Sequence, residues 1–369
     1  MSELHGGDIY NKNIRLDFSV NVNPYGMPEA VREALRDAVS KAENYPEYSY
    51  LSLRHVICHY EQAVCSADGT GNQDGKPSNA KHMGLRETQI VVGNGASELI
   101  MALAHALTGE KVLLQQPNFS GYERAFSTCG CQIEVAGSQE DFSLSDSICR
   151  QIADIKPRAV ALCSPGNPTG AVIGYALLKE IADACRDAGA LLLIDECFLG
   201  FAAEADKRSA ATLFGSGADI AVLRAFTKLY AMPGVRLGYL VCSKEETAEQ
   251  IASHLPEWNI SAAAEAAGRA ALLQKDYARE TTKKIRRDRA VTADGLQKLG
   301  MRVINGEANF ILFHSERELY APLLEKGILI RDCSNFAEME DGGWYRIAVR
   351  KPEENAELLD AIREIAGGT

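Results

Sequence analysis

No run of about 18 apolar residues occurs in this 369-residue chain, so no membrane-spanning helix is expected. The opening stretch, MSELHGGDIYNKN, has no apolar signal core. No lysine- or arginine-rich tract is long enough to follow a phosphodiester backbone. Membrane and nucleic acid are therefore not expected as partners. The ten cysteines show no repeated CxxC spacing, and only Cys129 and Cys131 lie close together. That argues against a disulfide framework or a metal site and suits free thiols in a reducing cytoplasm. No internal repeat is visible. What is present is ordinary for a globular protein, 46% hydrophobic and 24% charged. The net charge is 39 − 50 = −11. A few focused arginines can still hold a phosphorylated ligand against so diffuse a background.

Along the chain, residues 16–24 (LDFSVNVNP) read as an extended segment ending in a turn. A helix is expected after Pro28, with Val31, Leu35 and Val39 on its apolar face, and a second from about Leu51 to Ala63. Residues 66–84, rich in Gly, Asn, Asp and Ser, read as a surface insertion. Short apolar runs then alternate with helical patterns: Ile90–Val92, Val112–Leu114, Ile133–Val135, Ala159–Leu162, Leu191–Ile194 and Ile220–Leu223. Strand, helix and strand in repetition predict an α/β fold with a mostly parallel sheet covered on both faces. The last third changes character. A charged helical region (262–299) precedes strands at Asn309–Phe313, Ile328–Arg331 and Tyr345–Val349, and a closing helix starts near Pro352, giving a smaller α+β part.

Five stretches carry chemistry. Gly93-Asn94-Gly95-Ala96-Ser97 follows a strand and opens a helix, where free amides attract anions. Gln116-Pro117-Asn118-Phe119-Ser120-Gly121-Tyr122 offers an aromatic ring. Ser164-Pro165-Gly166-Asn167-Pro168-Thr169-Gly170 is a rigid loop carrying one amide side chain. Asp195 ends an apolar strand, where α/β sheets place ligand groups. Finally, Thr227-Lys228 and Arg236 flank a Met-Pro-Gly turn, joining an amine nucleophile to a hydroxyl and a cation suited to phosphate. Each alone has a structural reading: a Gly-rich turn, a core phenylalanine, a capping aspartate, a surface lysine.

Taken together and in this order, the stretches resemble fold-type I pyridoxal 5′-phosphate enzymes, aminotransferase class I/II. The resemblance implies a large domain with a mostly parallel seven-stranded sheet (41–255), an N-terminal arm shared with a small domain (1–40) and a C-terminal α+β domain (256–369). It makes Lys228 the residue that binds the cofactor covalently and Asp195 the partner of the ring nitrogen. Gly95, Ala96, Ser97, Thr227 and Arg236 would hold the cofactor phosphate, Phe119 would stack on the ring, and Asn167 would bond its phenolic oxygen. It also implies a homodimer with shared sites, Tyr45 reaching the partner's cofactor phosphate.

Two branches look close: threonine-phosphate decarboxylases of cobalamin biosynthesis, and histidinol-phosphate aminotransferases. His5-Gly6-Gly7, the LDFSVNVNP segment, Phe198 in place of a tyrosine, TKLYAMPGVRLGY and the Arg331 and Arg346 strands resemble the decarboxylases more. Asp8, Cys197 and the extra residues 338–343 depart from that pattern. The resemblance implies a cytoplasmic carboxy-lyase that converts L-threonine O-3-phosphate to (R)-1-amino-2-propanol O-2-phosphate and CO2. Its substrate residues would be His5, Gly7, Asn21, Asn167, Arg331 and Arg346. An aminotransferase on the same scaffold is the alternative, and a non-catalytic binding protein the third.

Overall fold

The computed structural model describes residues 6–7, 9–10, 13–65 and 84–367. The expected insertion, Gly84 apart, and His5 lie outside the described residues. The chain runs β1 (Leu16–Asp17), α1 (Glu29–Val39), α2 (Leu51–Cys65), β2 (Ile90–Gly93), α3 (Ala96–Ala106), β3 (Lys111–Gln115), α4 (Gly121–Thr128) and β4 (Gln132–Ala136). It continues through α5 (Ser147–Ile155), β5 (Ala159–Cys163), α6 (Tyr175–Ala188), β6 (Leu191–Asp195), α7 (Ala205–Arg208), β7 (Asp219–Ala225), α8 (Phe226–Leu229) and β8 (Gly238–Cys242). The remainder is α9 (Glu245–Ala252), α10 (Ala262–Leu272), α11 (Lys275–Lys298), β9 (Arg302–Val303), β10 (Phe310–His314), α12 (Tyr320–Glu325), β11 (Ile328–Leu329), β12 (Arg331–Asp332), β13 (Trp344–Ala348) and α13 (Pro352–Gly367).

The seven-stranded sheet has the order β2-β8-β7-β6-β5-β3-β4, with β8 alone running against the rest. Ala159–Cys163 and Leu191–Ile194 are uninterrupted apolar runs because β5 and β6 are covered on both faces. One face packs Leu99, Leu103, Phe126 and Leu193; the other packs Ile152, Ile181, Leu192 and Val222. In register, Cys163 lies opposite Asp195, and Asp195 opposite Leu223, so β5 and β6 finish level while β7 runs two residues farther. Gly189 (φ 70°) stops α6 in the left-handed conformation that glycine adopts without cost. A four-stranded antiparallel sheet, β12-β13-β10-β9, forms the second layer with α11 and α13. Among the described residues no helix is long and apolar enough to cross a membrane.

Three expectations change in detail. The single strand expected at Ile328–Arg331 is two pieces in different sheets: β11 pairs in parallel with β1, while β12 pairs with β13. Breaking there lets the N-terminal segment reach the second layer. The helical region 262–299 is two helices, broken at Leu273–Gln274, so α10 can pack on α1 while α11 packs on the second sheet. Val39 is 72% exposed and Ala38 is buried in its place. At about 100° per residue, the eighth position after Val31 has turned some 80° away, whereas the seventh falls back within about 20°.

Behind the sheet's carboxyl edge sits a buried charge cluster. Arg224, near the end of β7, lies 3.0 Å from Glu61 of α2 and 3.1 Å from Glu196, which follows β6. Tyr239 donates to Glu61 (2.6 Å); Ser209 and the Ala210 amide donate to Glu196 (2.8 and 2.6 Å). Burial pushes the Glu196 carboxyl up to about 7, and the two carboxylates hold the Arg224 guanidinium well above its ordinary value despite burial. Arg224→Leu leaves two carboxylates facing each other without their cation. Equilibrium unfolding should show a loss of about 3–5 kcal/mol. Unchanged stability would mean that the cluster only breaks even.

Candidate active site

At the carboxyl edge of the sheet a cavity of about 450 Å³ opens. Open α/β sheets place their ligand groups outside that edge, and helix N-termini point to it. At one side Gly95 (φ 81°) turns the chain from β2 into α3, presenting the first amides of an 11-residue helix. A Cβ on Gly95 would fall 2.6 Å from Arg236 Nη2, so only glycine lets the guanidinium lie on this turn. Arg236 is itself left-handed (φ 58°) and braced by Nη1 donation to the Pro233 carbonyl (3.1 Å). Ala96, Ser97 and Thr227 line the cavity beside it. The result is an anion cradle of helix amides, hydroxyls and one guanidinium.

Lys228, on the short helix α8, lies 5.8 Å over the Phe198 ring. Burial, then Arg346 and Arg236, push its ammonium down to about 8. Asp195 faces the same cavity. Its Oδ1 accepts from the Cys197 amide and its Oδ2 from the Tyr122 hydroxyl, both at 2.9 Å. Burial raises its pKa, while these donors and Lys228 pull the other way. Phe119 lines the wall, and a Cβ on Gly121 would come within 2.3 Å of that ring.

A second group of cations completes the cavity. Arg346 of β13 donates from Nη1 to Asn167 Oδ1 and from Nη2 to the Ser19 carbonyl (2.9 Å). Its guanidinium sits 5.5 Å from the Phe310 ring centre, and its buried Nε has no hydrogen-bond partner among the described residues. Burial pushes Arg346 down to about 10. Arg331 is its direct cross-strand partner, with Nη2 donating to Asn335 Oδ1 (2.6 Å). Like charges directly opposite on one sheet face repel, and an anion between or beside them would relieve that repulsion. Asn21 is buried in the same wall, its Oδ1 also without a partner among the described residues.

Of the residues singled out in the sequence, Asn21, Ala96, Ser97, Phe119, Asn167, Asp195, Thr227, Lys228, Arg236, Arg331 and Arg346 all border this one cavity. Gly95 supports Arg236 from behind. Gly7 stands one place back, donating to Ser19 Oγ (2.9 Å), and Gly6 takes the place in the wall. Tyr45 is 78% exposed, its ring tilted against Trp258 with centroids 4.6 Å apart, and does not border its own chain's cavity. Arg350 turns aside to Glu354 and the Asp17 carbonyl. Sequence reasoning missed Ser19, Cys163 and Tyr122. Tyr122 and Ser19 had a signal, Tyr122 lying three residues after Phe119 and Ser19 two before Asn21, each in a stretch already singled out.

The model of the family described as aminotransferase class I and II matches residues 13–362. The chain is 32% identical to threonine-phosphate decarboxylase of Salmonella typhimurium, across 100% of this chain and 98% of that protein. The crystal structure of histidinol-phosphate aminotransferase from Clostridium acetobutylicum superposes with a TM-score of 0.84 at 26% identity, covering 96% of this chain and 100% of that one. Histidinol-phosphate aminotransferase from Sinorhizobium meliloti, solved in complex with pyridoxal-5′-phosphate, shares the fold at 19% identity and TM-score 0.81, covering 96% and 91%.

The lowered ammonium of Lys228 can be read in the cofactor-stripped protein. Labelling by an amine-reactive reagent, followed peptide by peptide across pH, should give Lys228 a midpoint of about 8. Ordinary lysines follow the usual value of about 10.4. A Lys228 midpoint that coincides with theirs would contradict the desolvation described here.

Proposed function

Because the chain belongs to the aminotransferase class I and II family of pyridoxal-phosphate enzymes, we propose that it decarboxylates L-threonine O-3-phosphate to (R)-1-amino-2-propanol O-2-phosphate and CO2, a step of cobalamin biosynthesis. The residues at the cavity fit the cofactor: the Gly95–Arg236 cradle its phosphate, Asp195 its ring nitrogen, Phe119 its face and Lys228 its aldehyde. Pyridoxal phosphate supplies a sink for the electron pair left on the substrate's α-carbon when one of its bonds breaks.

The observation that carries the choice of substrate is the opposed pair Arg331 and Arg346. With the cradle given to the cofactor's phosphate, this pair offers a second, bidentate anion site. A phosphate held there anchors the part of the substrate that is kept. The carboxylate is then left to stand out of the ring plane, where its loss is favoured. Asn167 Oδ1 is taken by Arg346, which leaves Nδ2 to donate to the cofactor's phenolic oxygen. Phe198, packed edge-on against Phe310 at 5.0 Å, puts no hydroxyl where the aminotransferase branch has a tyrosine. Lys228 Nζ, with its pKa near 8, delivers the replacing proton to the α-carbon.

In this reading the enzyme is a cytoplasmic homodimer, the exposed Tyr45 reaching the partner's cofactor phosphate. The alternative, an aminotransferase for histidinol phosphate, uses the same Lys228 and Asp195 but needs Arg346 to clamp the α-carboxylate of its glutamate or 2-oxoglutarate partner in the ring plane.

Product analysis separates the two. With cofactor and threonine phosphate, and no oxo acid, the enzyme should release CO2 and aminopropanol phosphate. Glutamate from histidinol phosphate and 2-oxoglutarate, with no CO2 from threonine phosphate, would overturn the assignment. Arg346→Ala should raise KM by about ten- to a hundredfold, the value of a charge-assisted pair of about 1.5–3 kcal/mol.

A further inference from the structure

Tyr122 is 1% exposed and packs with Leu99, Leu103 and Phe126 under α4. A phenylalanine would fill that space without needing a partner for a buried hydroxyl. The hydroxyl nonetheless finds one, Asp195 Oδ2 at 2.9 Å. Tyr122 does not border the cavity, whereas Asp195 does. The tyrosine therefore stands directly behind the carboxylate, on the side away from any ligand.

We propose that Tyr122 is a positioning residue for the reaction: by donating its hydroxyl to Asp195 Oδ2 it keeps that carboxylate ionised and aimed at the cofactor's ring nitrogen. The assignment rests on reading Asp195 as the nitrogen's partner. The geometry has one more fixed donor, the Cys197 amide on Oδ1 at 2.9 Å. The two donors hold the carboxylate plane from two directions. A carboxylate has about four lone-pair sites, so the cavity side stays available to a ring N–H.

The surroundings explain why a donor is needed. The groups that act on Asp195 are Tyr122 from α4, Cys163 at the end of β5, Cys197 just beyond β6 and Lys228 from α8. Burial favours the neutral acid at Asp195, and a neutral acid cannot hold a protonated ring nitrogen as an ion pair. Both thiols and the phenol are pushed well above their ordinary values by burial, so none carries charge in the neutral range. Tyr122 is thus a permanent donor, and its hydrogen bond favours the charged carboxylate. Without it, Asp195 would depend on the thiol and amide of Cys197, the thiol a weak donor, and on Lys228, whose charge is itself easily lost.

The test is a double-mutant cycle on cofactor affinity, using the full-length protein stripped of cofactor and titrated with pyridoxal phosphate. Tyr122→Phe should weaken binding about tenfold or more in the parent, the effect of one hydrogen bond to a charged group. In the Asp195→Asn background, the same change should cost no more than about two- to threefold, because the anion it serves is gone. The pH profile of the bound cofactor's visible absorption should also move in Tyr122→Phe, and kcat should fall with the substrate's KM little changed. Equal losses in both backgrounds, or no loss in the parent, would overturn the proposal and make Tyr122 a packing residue. If Asp195→Asn by itself binds cofactor as tightly as the parent, the underlying reading of Asp195 fails, and the proposal with it. That result is recognisable without any Tyr122 variant. Should Tyr122→Phe fail to accumulate folded, 3,5-difluorotyrosine placed at position 122 keeps the ring and strengthens the donor. Tighter cofactor binding would then support the role, and unchanged binding would overturn it.

Discussion

Among the described residues, the cavity is bordered by four cations, Lys228, Arg236, Arg331 and Arg346, and by the carboxylate of Asp195. In a desolvated pocket that excess is costly, and the fold shows the strain. Lys228 and Arg346 are both held below their ordinary pKa values, chiefly by burial. Each cation also weakens its neighbours. Anions entering such a site would relieve that repulsion, and the proposed reading brings two of them. In the proposed reading a cofactor phosphate would answer Arg236 and the amides of α3, and a second anion Arg331 and Arg346. Binding energy spent in relieving this repulsion is available to orient the reacting group.

The fold makes that concentration possible by bringing distant segments to one edge. Three neighbouring strand ends supply Cys163, Asp195 and, two residues farther along β7, the approach to Lys228. The N-terminal segment then crosses to the second layer through the β1–β11 pairing and lays Ser19 and Asn21 against β13. The buried Arg224 cluster ties α2 to the loop after β6 and to β7, the strand that leads to the lysine. Tyr122 carries the same logic to the other side of Asp195.

Much of this was legible because it rests on local rules. All six apolar runs became strands, five within a residue of their expected bounds and the sixth, β7, two residues longer at its end; where a strand is buried on both faces, as β5 and β6 are, it leaves an uninterrupted apolar signature. Glycines, prolines and the lone lysine marked the turns that border the cavity. What escaped depends on three dimensions. The sheet switch inside Ile328–Asp332 has no residue that signals it; it follows from where the N-terminal segment docks. The exposure of Val39 follows from helix geometry over the last turn. Tyr122 reads as a core aromatic until the Asp195 carboxylate is seen 2.9 Å away. Opposition of Arg331 and Arg346 required the strand register, although both residues had been singled out.

The central claim is that the excess of cations selects a substrate with its own phosphate. The most direct measurement is the affinity of the holoenzyme for L-threonine O-3-phosphate against L-threonine, followed through the bound cofactor's absorption. Two charge-assisted guanidinium contacts correspond to about a hundredfold or more in favour of the phosphate ester. The account predicts that margin, shrinking sharply when Arg331 or Arg346 is replaced by alanine. Comparable affinity for the two amino acids would contradict it.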